Sequence, residues 1–260
     1  LDDSPLPGPA GPMRPAVAPE LAPELDAGLD AGFEPELDRE LVTDWVAGWA
    51  ASRGTPAPVE RPWGLYMDIR SERLVGRHVL LHADEATVRA AAAAVTVPST
   101  WLMVFAEPDR VAAWLPPGWE VDHAETGHLM SVGLETTDPV PPDGYTRTVE
   151  TRDGVIRVWV HDASGETAAA GQASVLGRNA VMDRIRTEEA HRRRGLGGLV
   201  MRTLADSAVA DGATLGILGA TPQGRALYET LGWKAHTILT ECVYRPRCPC
   251  AGGEAVAGLL

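Results

Sequence analysis

The feature that most constrains this chain runs from His191 to Leu204, HRRRGLGGLVMRTL, where three arginines and a glycine-rich turn lead directly into an apolar helical pattern. The residues before it, NAVMDRIRTE (179–188), read as a strand. A helix start already carries unpaired N–H groups and about half a positive charge. Arginines placed there repel that charge unless something anionic visits. A strand, a glycine turn and a helix N-terminus together form an anion cradle, in which successive N–H groups converge on phosphate oxygens. Gly195 and Gly197 let the backbone approach such a ligand closely, and Arg192 and Arg194 add charge-assisted bonds.

The surrounding pattern places this cradle in an alternating fold. GVIRVWV (154–160) and TAAAGQASV (167–175) flank the turn-rich HDASGE, which suits a hairpin. The helix after the glycines carries Leu196, Leu199, Val200, Leu204 and Ala208 on one face. TLGILGA (214–220) is short and apolar, as a buried central strand is. In TPQGRALYETLGW, Thr221 is an expected N-cap, Pro222 the first helical residue and Gly232 the residue past the end. A last strand follows over roughly residues 234–244. The dinucleotide fingerprint fails, because Val200 stands where its third glycine belongs. A P-loop fails as well, since the only lysine is Lys234.

With both segments in view, the stretch of about residues 180–235 resembles the acetyl-coenzyme A binding core of GNAT-type N-acetyltransferases. In that family an (Arg/Gln)-x-x-Gly-x-(Gly/Ala) turn wraps the coenzyme A pyrophosphate, and Leu-Tyr-x-x-Leu-Gly-(Phe/Trp) follows some thirty residues on. Arg192, Gly195 and Gly197 match the first pattern; Leu227, Tyr228, Leu231, Gly232 and Trp233 match the second. The resemblance implies an α/β (α+β) fold with a mixed central sheet flanked by helices. It implies acetyl-coenzyme A as acyl donor, held by Ile185, Arg186 and Thr187 on the strand and by Arg192, Arg193, Arg194, Gly195, Leu196, Gly197 and Gly198 in the turn. It also implies that Tyr228 protonates the departing thiolate.

Amide formation from a thioester needs a neutral amine, so a base or a water relay must take a proton. Asp183 and Glu188 are the candidates on or beside the strand. Strand alternation puts Asp183, Ile185 and Thr187 on one face and Glu188 on the other with Arg184 and Arg186. Glu241 and His161 are further candidates, and no spacing selects among the four.

The first half departs from the family. A usual member opens with a strand and two helices that wall the acceptor site, but YTRTVE (145–150) leaves no room for them. DRELVTDWVAGWAASRG (38–54) is an amphipathic helix ending at Gly54, and strand-like and helical runs alternate to about residue 135. The expected organisation is an acidic, proline-rich disordered tail (1–37), an N-terminal lobe (38–135) that walls the acceptor site as a degenerate copy of the same fold, a catalytic domain (136–245) after the linker ETTDPVPPDG, and a flexible tail (246–260).

Charge bounds the partners. The formal net charge is −13, of which residues 1–40 carry −8, so the remainder is mildly acidic and nucleic acid is not an expected partner. Cys242, Cys248 and Cys250 match neither a disulfide framework nor a zinc site. No apolar run approaches the ~18–20 residues that span a bilayer. No basic segment precedes an apolar one at the N-terminus, so no signal peptide and a cytoplasmic location are expected. The acceptor expected is a small amine or amino-acid-like molecule, with a homodimer left open. Two other readings stand beside it: a module that binds acyl-coenzyme A without turnover, and an acyltransferase acting on a protein or an aminoacyl-RNA.

Overall fold

The computed structural model describes residues 38–246. The expectations for residues 1–37, for most of the C-terminal tail and for Cys248 and Cys250 lie outside the described residues. The chain begins with α1 (Arg39–Arg53), followed by β1 (Val59–Arg61), β2 (Gly64–Asp68), β3 (Gly76–Leu80), α2 (Glu85–Ala94), β4 (Thr100–Val104), α3 (Pro108–Trp114), β5 (Trp119–Val121) and β6 (Gly127–Gly133). After the linker come β7 (Thr146–Arg152), β8 (Val155–His161), β9 (Thr167–Leu176), β10 (Asn179–Thr187), a single 3-10 turn (Glu189–His191), α4 (Leu196–Ala210), β11 (Leu215–Ala220), α5 (Pro222–Thr230) and β12 (Lys234–Tyr244). Among the described residues no helix is long and apolar enough to cross a membrane.

The twelve strands form one mixed sheet in the order β1-β2-β3-β4-β12-β6-β11-β10-β9-β8-β7, with β5 also paired to β12. Only β3/β4 and β10/β11 are parallel. The two halves of the chain interleave, because β6 sits between β11 and β12. Strand β12 changes partners along its length: Lys234–Leu239 pairs with β6, and Thr240–Val243 pairs with β4. Its second half thereby joins elements more than a hundred residues apart.

Three strands went beyond the sequence pattern. β1 and β5 have three residues each, and β7 is an edge strand exposed along its whole length. Neither a short segment nor a polar edge shows the apolar alternation by which a strand is read.

Helix α1 positions the site. The Asp38 side chain accepts from the Leu41 N–H at its start, and Gly54 closes it in the left-handed region. Leu41, Val42, Trp45, Val46 and Trp49 are buried against the sheet. The helix crosses β9 and β10 with Gly48 at the closest approach, where Ser174 Oγ donates to the Gly48 carbonyl at 2.6 Å. Asn179 Nδ2 donates to Asp44 Oδ2 at 2.7 Å, and Gln172 Nε2 to the Ser52 carbonyl at 2.7 Å. On the opposite face α4 buries Leu196, Leu199, Val200 and Leu204 against β8, β9 and β10.

A methyl group at Gly48 would stand 2.7 Å from Val181 Cβ, a branched side chain fixed on a central strand. Glycine-to-alanine changes inside helices normally gain up to about 1 kcal/mol. Here overpacking costs about 1–3 kcal/mol and outweighs that gain. Gly48→Ala is therefore expected to lower the unfolding free energy in urea by about 1–2 kcal/mol; an unchanged or raised midpoint would refute the close approach.

Candidate active site

Strands β10 and β11 pair over three residues only, ending at Val181 and Ile217. Beyond them the strands part, and the edge of β10 from Met182 to Thr187 faces open space rather than a neighbour. A cavity of about 1230 Å³ fills the gap. It extends from the turn at Gly195, past Ile185 and Tyr228, to Trp49, Arg77 and Glu241.

The parting coincides with a β-bulge. Asp183 pairs with Gln172 and Arg186 with Ala170, so β10 carries one residue more than β9 across this step. Arg184 takes a left-handed conformation (φ 54°) to accommodate it. The bulge overturns the alternation expected from sequence. Asp183 faces α1, whereas Ile185 packs with Val200 and Leu204 over Gly171 on the α4 side. Thr187 is also on the α4 side, beside Gly197. Asp183, Ile185 and Thr187 therefore do not share a face, because the extra residue reverses the side-chain order.

At the cradle end, Arg193 and Gly195 are left-handed (φ 61° and 79°), which turns the chain sharply from the 3-10 turn into α4. Among the described residues no side chain caps α4. Its leading N–H groups and its dipole are thus available to an anion. Gly197 lies against α5, where a Cβ would come 3.0 Å from Leu227 Cδ2. Arg192, Arg193, Gly195, Leu196, Gly197 and Gly198 line the cavity, as do Ile185, Arg186 and Thr187. Arg194 does not; it donates instead to the Tyr145 hydroxyl at 3.0 Å. Glu188 is exposed, pairs with Arg186 at 3.6 Å and is also absent from the lining.

Tyr228 and Asp183 come together in the middle of the cavity. Burial, with the Asp183 charge adding to it, pushes the Tyr228 phenol up to about 12. Both Asp183 oxygens are engaged: Arg53 Nε and Nη2 each donate at 2.8 Å, and Ser52 Oγ donates to Oδ2 at 3.2 Å. Arg53 in turn lies 4.1 Å from the Trp49 ring centroid. This carboxylate is held as an anchor.

Glu241 is placed differently. It is 3% exposed, and Oε1 meets Arg77 Nη2 at 3.2 Å while Oε2 has no hydrogen-bond partner among the described residues. Burial pushes it up to about 7, opposed by Arg77 and assisted by Glu125 and Asp122. Among the described residues no histidine lines the cavity. His161 instead meets Thr148 Oγ1 at 3.1 Å on the outer hairpin. Sequence reasoning missed Arg53 and Arg77. Arg53 continues the four-residue spacing of Leu41, Trp45 and Trp49 and was legible in that sense; nothing local marks Arg77.

Residues 132–242 match the family model of the acetyltransferase (GNAT) domain. Over that segment the chain is similar to the GNAT acetyltransferase domain. A GCN5-related N-acetyltransferase from Kribbella flavida has a similar structure, with a TM-score of 0.54 at 18% identity, covering 78% of this chain and 94% of that one. A GNAT-family acetyltransferase from Novosphingobium aromaticivorans gives 0.48 at 17% identity, covering 77% and 97%. A tandem GNAT protein from the clavulanic acid biosynthesis pathway gives 0.44 at 13%, covering 63% and 69%. No curated protein gives a significant match. At these identities the structural likeness concerns the fold.

GNAT acetyltransferases use acetyl-coenzyme A as acyl donor. The uncapped helix start, the left-handed Gly195 and the unpaired edge of β10 fit a long ligand with a diphosphate at one end and amides along its arm. At Gly195 a side chain finds nothing within 4 Å, so Gly195→Glu is tolerated apart from a left-handed backbone cost of about 1–2 kcal/mol. The added negative charge opposes phosphate. Isothermal titration is expected to give a Kd for coenzyme A raised about tenfold or more, with the fold intact; unchanged affinity would dissociate this turn from the diphosphate.

Proposed function

We propose that the chain is an acetyl-coenzyme A dependent N-acetyltransferase that acetylates a small amine or amino-acid-like acceptor by direct attack on the thioester. The observation that carries this reading is Glu241: a buried carboxylate with one free oxygen, in the same cavity as a protonated phenol and an anion cradle. Acetyl-coenzyme A supplies the acyl group in activated form.

The residues divide the work by position. The turn at Arg192–Gly198 holds the diphosphate end, and the free edge from Ile185 to Thr187 offers backbone groups to the arm. Donors fixed in place before reaction are worth about 3–4 kcal/mol of barrier each where they meet developing charge. Glu241 Oε2 takes one proton from the ammonium, so that a neutral nitrogen bonds to the acyl carbon; the proton this nitrogen then loses restores the Tyr228 hydroxyl. Tyr228 gives its hydroxyl proton to the sulfur as the carbon–sulfur bond breaks. Asp183 keeps α1 and the bulged strand in register and holds negative charge near the phenol, which favours the protonated form. Helix α1 supplies the wall of the acceptor end through Trp45 and Trp49. The presence of a base candidate with a free oxygen supports turnover over binding alone.

The base must be deprotonated to act, so kcat/KM is expected to fall about tenfold per pH unit below about 7 and to level off above it. Glu241 sets this limb; Arg77, Glu125 and Asp122 are the charged groups that act on it. Glu241→Gln is expected to lower kcat/KM by about 10²–10⁴-fold and to abolish the limb. A limb that persists in the variant would assign the base elsewhere. Tyr228→Phe is expected to retain coenzyme A binding and to lose at least about tenfold in kcat. Thiol release from acetyl-coenzyme A across a broad amine panel tests the whole reading: absence of amine-dependent release would sink it.

A further inference from the structure

At the acceptor end Arg77 and Glu241 meet at one corner only. Nη2 and Oε1 lie 3.2 Å apart, and the side chains are 12% and 4% exposed. Arg77 Nε and Glu241 Oε2 are buried and have no hydrogen-bond partner among the described residues. One is a donor carrying positive charge and the other an acceptor carrying negative charge, and both residues line the cavity. We propose that this open pair recognises the α-ammonium and α-carboxylate of a free amino acid, the carboxylate accepting from Arg77 Nε and the amine donating to Glu241 Oε2. This inference rests on the acetyl-transfer reading above and specifies its acceptor.

Charge balance favours a zwitterion over a simple amine. The Arg77–Glu241 pair is neutral as a unit, so a bare alkylammonium would add an unmatched positive charge to a buried site. It would also leave the Arg77 Nε–H unmet, and an unpaired buried donor beside a ligand weakens binding steeply. A zwitterion is itself neutral and meets both free atoms at once. Its two charged groups are separated by a single carbon, which suits two protein groups already joined at a corner. Of the other two acids in this lining, Asp183 is paired with Arg53, and Glu125 is exposed, where solvent screens it. The adjoining walls are apolar and buried: Trp45, Met103 and Leu239. They suit an apolar amino-acid side chain.

The geometry also fixes the fate of the proton. Glu241 Oε2 accepts from the ammonium, leaving a neutral nitrogen. Arg77 holds the carboxylate, so the nitrogen stays beside the base.

The test compares thiol release from acetyl-coenzyme A with leucine and phenylalanine, with their methyl esters, and with isoamylamine and phenethylamine. The acids are expected to exceed both the esters and the amines in kcat/KM by about tenfold to a hundredfold, the range for a charged hydrogen bond. Arg77→Lys keeps the charge beside Glu241 but removes the fixed guanidinium fork and its Nε–H. It is expected to raise KM for the acids and to lower their kcat/KM about tenfold more than that of the amines. A circular-dichroism melt checks that the variant folds, and Arg77→Gln repeats the comparison without a charge. Amines and esters that turn over as well as the acids, or an Arg77→Lys loss equal for all three classes, would overturn the amino-acid assignment while leaving acetyl transfer intact. No thiol release with any amine, while coenzyme A still binds, would overturn the transfer reading and this assignment with it.

Discussion

Between Asp183 and Arg186 the tenth strand fits three steps against two of its neighbour, and the rest of the site follows from how that mismatch is held. Arg184 is left-handed there, at a cost of about 1–3 kcal/mol for a residue with a Cβ. Such a conformation persists only when its surroundings fix both sides of it. On one side Asp183 is locked by two guanidinium bonds from Arg53 and one from Ser52. Ser52 is itself held by Gln172 Nε2 at 2.8 Å, on the strand opposite the bulge. On the other side Ile185 is packed into the α4 core over Gly171, where no other residue leaves room. The bulge is clamped from above and below the sheet.

The Asp183–Arg53 pair contributes more to position than to stability. Taking the carboxylate out of water costs several kcal/mol, which the bidentate pairing offsets rather than exceeds. Arg53 keeps 31% of its side chain exposed, so solvent further weakens its net contribution. What the pair does is fix the height of α1 on β10. With Gly48 in contact with Val181 at the middle of the helix and Arg53 bonded at its end, α1 has no freedom to slide or tilt. Trp45 and Trp49, on the same face, then become fixed walls of the cavity.

The elements around the cradle were legible in sequence because their signals are local. Glycine and arginine at fixed offsets, Thr221 with Pro222, and Gly232 past the helix end each act within a turn of chain. The helix α1 was legible for the same reason, through the spacing of its leucine and tryptophans. The bulge was not, since a bulge is a property of two strands, and nothing in MDRIR says which residue lacks a partner. The end of the cavity at Trp49, Arg77 and Glu241 was hidden by distance. Arg53, Arg77, Asp183 and Glu241 come from α1, β3, β10 and β12 and meet only through a sheet whose halves interleave. Glu241 could be picked as a carboxylate on the last strand, but its environment depends on β12 leaving β6 for β4. That change of partner brings it beside Arg77 and buries it.

In the proposed reaction one physical cause produces two opposite chemical roles. Burial disfavours the charged form of both Tyr228 and Glu241 and pushes both upward, to about 12 and about 7. For a phenol that begins near 10, the displacement carries it further above the neutral range and keeps the hydroxyl protonated. For a carboxylic acid that begins near 4.5, the same displacement carries it into the neutral range and makes it a base strong enough to hold a proton drawn from an amine. Arg77 opposes the rise of Glu241 and favours the ionised form that accepts a proton. Asp183 acts in the other sense on Tyr228, adding to the effect of burial. The fold therefore needs no special chemistry to separate an acid from a base. It needs burial of both groups, one guanidinium beside the group that must ionise, and one carboxylate beside the group that must not.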